Sequence, residues 1–277
     1  MEFLSNYLSH LFYFVIGIGL VGFVIYLLNV LFYKLVGNGR VACYASGLIG
    51  TPVHELSHAL MCIIFRHKIT DMKLYQMDDE TGTMGYVTHS YNERSIYQKT
   101  GLFFIGVAPI IGGSLLIYLC LKWLLPTEFA EISLYLDDFS LLMQDGVSFD
   151  IFTYSFAIAK EVLFIIFTSF DKGINCIVFL IIGACIALHM KLSGADIKGA
   201  LPAIPIVAIL IAVIDGILYL ISFVSDGVYY GFSNAVNTAG VYLFAILLLS
   251  LCLSVVCIVA AAFVKLIKFA VSVILHR

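Results

Sequence analysis

Two histidines four residues apart, His54 and His58, enclose a glutamate in the run Gly50-Thr51-Pro52-Val53-His54-Glu55-Leu56-Ser57-His58-Ala59. On an α-helix these positions stand one turn apart on the same face, so both imidazoles can reach one Zn²⁺ at about 2.0–2.1 Å. Glu55 is turned by about 100° from His54 and need not touch the metal. It can take the proton of a water that the ion has made acidic, which is the chemistry that attacks a peptide carbonyl. The chance of meeting this pattern in a chain of such histidine content is of order 0.5 % or less. Burying two His and a Glu in an apolar helix is also costly, so the pattern reads as a metal site with Glu55 as its catalytic base.

A catalytic zinc keeps three protein ligands and one open position, so a third donor must come from elsewhere in the chain. Three acidic residues in or beside apolar segments qualify: Asp196, Asp215 and Glu161. Asp196 follows the run Ala187-Leu188-His189-Met190-Lys191-Leu192-Ser193-Gly194-Ala195, and His189 would share its face on a continuous helix. Asp215 can instead bond a neighbouring helix or line a substrate path. His67, His89 and His276 lie in or beside polar stretches, where a solvated histidine is expected. The seven cysteines sit in or at the ends of apolar segments without a CxxC pair, and read as packing thiols.

The elements that must position these groups are set by composition. Hydrophobic residues make up 62% of the chain and charged residues 12%, with a mean hydropathy of +1.05, too little polar surface for a soluble globule. A helix needs about 20 apolar residues to cross a bilayer, and the segments 11–36, 42–65, 101–125, 174–190, 201–224 and 239–264 meet or approach that length. The expected class is an all-α polytopic membrane protein with about six transmembrane helices, forming a single integral-membrane domain over 1–277. The first segment exceeds a signal-peptide core, which predicts a retained helix. Residues 151–170 are nearly as apolar, but Lys160 and Glu161 interrupt them, so an interfacial or re-entrant helix is expected there. A net charge of −3 without a basic stripe offers nothing to hold a nucleic acid.

Lys and Arg accumulate between residues 66 and 100 (Arg66, Lys68, Lys73, Arg94, Lys99), whereas 126–172 is acidic. The positive-inside rule places the first connection in the cytoplasm, the second outside and both termini in the cytoplasm, with the plasma membrane as the expected location. Lys34 and Arg40 run against this scheme. His58 precedes Arg66 by eight residues, which puts the metal site about 12 Å inside the cytoplasmic boundary.

The order of these parts resembles the site-2-protease family of intramembrane zinc metalloproteases. In that family an HExxH helix is followed by a membrane-associated β segment, a small-residue/Pro helix and a kinked helix whose Asp completes the zinc site. Here Ile69 to Asn92 resembles the β segment, with the runs 72–77 and 83–88 around a turn at Asp78-Asp79-Glu80-Thr81-Gly82. Gly106-Val107-Ala108-Pro109-Ile110-Ile111-Gly112-Gly113 resembles the small-residue helix. The likeness covers roughly 42–220, with a β segment over 69–92 and an external loop carrying an interfacial helix over 126–172.

The resemblance implies that Asp196 joins His54 and His58 on Zn²⁺. The family often has Asn-Pro-x-x-Asp-Gly, where this chain reads Leu192-Ser193-Gly194-Ala195-Asp196-Ile197, so only the Asp carries over. Ser193 or backbone amides then stand in for the missing Asn as accessory groups. The implied activity is hydrolysis of peptide bonds in or near transmembrane segments of membrane-protein substrates, with the β segment adding a strand to an unwound peptide. Two other functions fit HExxH in a membrane helix: a zinc transporter, and a zinc-bound but inactive scaffold.

Overall fold

The computed structural model describes residues 2–37, 39–77, 82–142, 150–169, 173–223 and 225–275. The chain starts with α1 (Glu2–Leu11), a π-helical segment (Phe12–Ile16) and α2 (Gly17–Val36), which continue one another. The HELSH helix α3 (Gly39–Ile64) leads into strands β1 (Lys68–Lys73) and β2 (Tyr86–Ser90). Then follow α4 (Ile96–Leu124), α5 (Pro126–Leu142), α6 (Asp150–Thr168), α7 (Ile174–Ala187) and the short α8 (Gly194–Ala200). A 3₁₀ turn (Leu201–Ala203) joins α8 to α9 (Ile204–Ser222), and α10 (Asp226–Leu275) closes the chain.

Among the described residues, four helical stretches are long and apolar enough to cross a membrane: Phe3–Val36, Ile96–Leu124, Gly194–Ser222 and Gly227–Val273. The expected count of six is therefore corrected to four. The run at 174–190 yields only the 14-residue α7, because the chain leaves the helix at Leu188. In α3 the polar groups of the HELSH region dilute an otherwise apolar sequence. Its two faces are nonetheless sharply divided: Leu48, Leu56, Leu60 and Ile63 point outward, while Thr51, Glu55, Ser57 and His58 are buried. Apolar outside and polar inside is the reverse of a water-soluble helix. The same inversion holds for α9, where Ile209, Val213, Ile217 and Leu220 are exposed and Asp215 is buried. An apolar surface this extensive identifies a membrane protein.

The bundle packs around Tyr13, Ile25, Ile110, Leu121, Phe179 and Ile186, all fully buried, with α10 lying along α2 and α3 held between α4 and α7. The connection at 126–172 holds two helices, α5 and α6, where one was expected. Ile132 and Leu136 of α5 pack inward from one face, a spacing masked in the sequence by the acidic residues around it.

A Schellman-type end stops α3. Arg66 adopts a left-handed conformation (φ 57°), Arg66 N–H donates to Ile63 O and His67 N–H to Cys62 O, and the chain turns directly into β1. The strands pair antiparallel, Lys68 opposite Ser90 and Lys73 opposite Tyr86, with an irregularity between Ile69 and Asp71. The first strand thus begins earlier than the run at 72–77 expected from sequence. Of the expected turn, residues 78–81 lie outside the described residues.

Candidate metal centre

His54 and His58 project from α3 towards two elements that the chain brings close. A Cβ on Gly50 would fall 2.2 Å from the Cys185 carbonyl oxygen and 2.6 Å from His189 Nδ1, so only glycine lets α7 and the residues after it approach α3 here. On the other side, a Cβ on Gly106 would fall 2.7 Å from the Asp196 carbonyl oxygen. The small-residue stretch of α4 is thereby the seat on which α8 rests.

These approaches fix both imidazoles. His54 Nδ1 lies 2.7 Å from the His189 carbonyl oxygen, and His58 Nδ1 lies 2.7 Å from the Ile105 carbonyl oxygen. A carbonyl only accepts, so each Nδ1 carries the proton and donates it. In the neutral form that a metal ligand takes, each ring is left with a lone pair on Nε2, and the two Nε2 atoms face one another at 3.1 Å. Two lone pairs at that distance repel unless a cation stands between them. Metal-ligating histidines characteristically donate their other N–H to a carbonyl or carboxylate in this way.

Asp196 completes the group. Its Oδ1 is 3.2 Å from His58 Nε2 and its Oδ2 3.7 Å from His54 Nε2. Donors about 2.0–2.1 Å from a shared tetrahedral zinc stand about 3.3–3.4 Å from one another; the Nε2–Nε2 separation of 3.1 Å and the His58 Nε2–Asp196 Oδ1 separation of 3.2 Å lie close to that, while the 3.7 Å contact of His54 is made by the other carboxylate oxygen. The carboxylate is held by the start of α8: Ser193 is the N-cap, its hydroxyl accepting from Asp196 N–H (3.1 Å) while Asp196 Oδ2 accepts from Ser193 N–H (2.6 Å). The Ser193 hydroxyl is thus engaged in aiming Asp196. Among the described residues, His54, His58 and Asp196 are the one group of three such side chains with ligand atoms all within 4.8 Å of one another.

The three residues open onto a cavity of about 620 Å³ that Glu55, Gly85, His89 and His189 also line. Glu55 is buried and packs beneath the chain entering β2, where a Cβ on Gly85 would fall 3.0 Å from Glu55 Oε1. The remaining sequence candidates lie elsewhere. Asp215 is buried against His10 of α1, whose Nδ1 is 2.9 and 3.1 Å from its two oxygens. Glu161 is partly exposed and pairs with Lys160 at 3.3 Å. The His189 ring faces Gly50, and it is the His189 carbonyl that serves His54. His276 lies outside the described residues. His67, expected in solvent, is buried, and His89 is half-buried at the cavity wall. The alternation along β2, with His89 on the same side as Val87, was the available signal for that wall.

In comparisons with protein-family models, with curated proteins and with solved structures, nothing matches this chain.

Proposed function

We propose that the chain is an integral-membrane zinc metalloendopeptidase of the site-2-protease kind, cleaving membrane-protein substrates in or near their transmembrane segments. The observation that carries this reading is the facing pair of His54 and His58 lone pairs, closed by the Asp196 carboxylate at zinc-ligand spacing beside Glu55. When bound, zinc lowers the pKa of a coordinated water towards 7 and polarises a carbonyl oxygen. Glu55 takes the proton that the attacking water loses and passes it to the amine nitrogen as the C–N bond breaks, so one water is consumed per bond cut. The cavity is large enough for an unwound peptide segment, and each strand of the β1–β2 pair has one edge without a partner strand among the described residues. In this reading the HELSH end of α3 points to the cytoplasm, along with both termini, and the membrane is the plasma membrane.

The test separates the three functions weighed from sequence. Glu55→Gln is expected to retain zinc at one per chain while abolishing cleavage of a transmembrane substrate by the reconstituted protein. Full cleavage in that variant sinks the mechanism. Zinc flux through proteoliposomes that persists in Glu55→Gln identifies a transporter, and zinc without either activity in the wild type identifies a scaffold.

A further inference from the structure

Beyond the ligands and Glu55, the cavity wall contains a histidine held in one protonation pattern by a second, buried histidine. His67 Nε2 lies 2.8 Å from the Gln98 carbonyl oxygen, which can only accept, so Nε2 carries the His67 proton. In the neutral ring His67 Nδ1 is then an acceptor, and it lies 3.0 Å from His89 Nδ1. His89 must therefore carry its own proton on Nδ1 and donate it to His67. That assignment leaves a lone pair on His89 Nε2, a nitrogen with no hydrogen-bond partner among the described residues, in a ring that lines the cavity. The relay is rigid. His67 is 6% exposed, its ring stacks on Tyr91 at 5.2 Å with 19° between the planes, and the Schellman end of α3 delivers it to this spot. Burial pushes the His89 pKa below the ordinary imidazole value, in the direction of the neutral ring.

A neutral imidazole presenting Nε2 accepts a hydrogen bond and cannot give one. A peptide held with its carbonyl towards the metal offers backbone N–H groups as donors. We infer that His89 is the substrate-positioning acceptor of this cavity, receiving a backbone N–H of the bound peptide at Nε2, and that His67 is the residue that aims it. The inference rests on the zinc-peptidase reading and adds to it a polar subsite supplied by β2. Once a bound peptide shields it from water, a neutral histidine acceptor left without a donor is unfavourable, so the site discriminates against ligands whose N–H is missing.

The test uses binding and keeps cleavage out of the readout. The probes are an N-acyl-leucine hydroxamate, whose backbone N–H lies beyond its zinc-binding group, and its N-methylated counterpart. Titrated into zinc-loaded full-length protein in detergent, the parent is expected to bind about tenfold more tightly than the N-methyl probe. In His89→Phe the preference is expected to vanish, and in His89→Gln, whose amide oxygen accepts, to return in part. Histidine ¹⁵N NMR is expected to show His89 as a single Nδ1–H tautomer in the wild type and as a mixture in His67→Phe. An undiminished preference in His89→Phe with zinc content intact overturns the inference while the peptidase reading stands. A wild-type protein that takes up no zinc overturns the peptidase reading itself, and the subsite with it.

Discussion

At the scale of single residues, the site separates groups placed to hold a metal from groups that aim them. Asp196→Asn removes the anionic donor while keeping size and one oxygen, and is expected to lower zinc affinity at least about a hundredfold. Asp215→Asn and Glu161→Gln are expected to leave zinc stoichiometry unchanged, because those carboxylates lie with His10 and Lys160. Equilibrium dialysis against a zinc buffer reads all three. Ser193→Ala deletes the hydroxyl that accepts from Asp196 N–H, and is expected to cost about 1 kcal/mol of cap stability and about tenfold in zinc affinity. Ser193→Thr should restore both, since the hydroxyl is what the cap needs. His54, Glu55 and His58 were legible from sequence because helical spacing alone brings them together. The Ser-x-x-Asp cap was equally legible in principle, as a local pattern at 193–196. The carbonyls of Ile105 and His189 were not, since every residue carries one and only the fold selects which faces an imidazole.

At the scale of elements, the ligand-bearing pieces meet through close backbone approaches. Gly50 stands about one helical turn before His54, and the structure gives it a specific task against α7. Gly50→Ala places a methyl group 2.2 Å from the Cys185 carbonyl oxygen, which is backbone and cannot swing away. The helices must separate, at a cost of about 1–3 kcal/mol, and the His189 carbonyl moves with α7 away from His54. The expected outcome is a lower unfolding midpoint together with weaker zinc binding. Ala45→Gly, a change on the same helix that adds no atoms, is the control for helix propensity. A variant that loses stability yet keeps wild-type zinc affinity would show that α7 does not hold His54. The small-residue stretch 106–113 was recognisable from sequence, but its purpose was not: Gly106 admits α8 and Ile105 supplies a carbonyl, two contacts formed between distant parts of the chain. The strand pair was found within a few residues, since alternation marks strands while register depends on the bulge near Thr70.

At the scale of the whole molecule, the distribution of apolar surface decides the environment. Composition alone pointed to a membrane, but it overcounted the crossing helices, because a helix that carries a polar site and a helix cut short after 14 residues both resemble spans when read as runs of apolar letters. One intrinsic probe tests the arrangement. The chain has a single tryptophan, Trp123, and it is 69% exposed at the end of α4, next to Lys122, whose ammonium lies 5.6 Å from the Phe129 ring centroid. An indole at the end of a crossing helix settles at the headgroup level, where its apolar body and N–H are both accommodated. In reconstituted vesicles, lipids brominated near the headgroup should therefore quench its fluorescence more strongly than lipids brominated near the chain ends, and aqueous acrylamide should reach it only weakly. Strongest quenching from the chain ends would place the end of α4 near the bilayer centre and shift the whole helix along the membrane normal. Acrylamide quenching equal to that of free tryptophan would remove α4 from the membrane, and with it the apolar surroundings in which α3 holds its histidines.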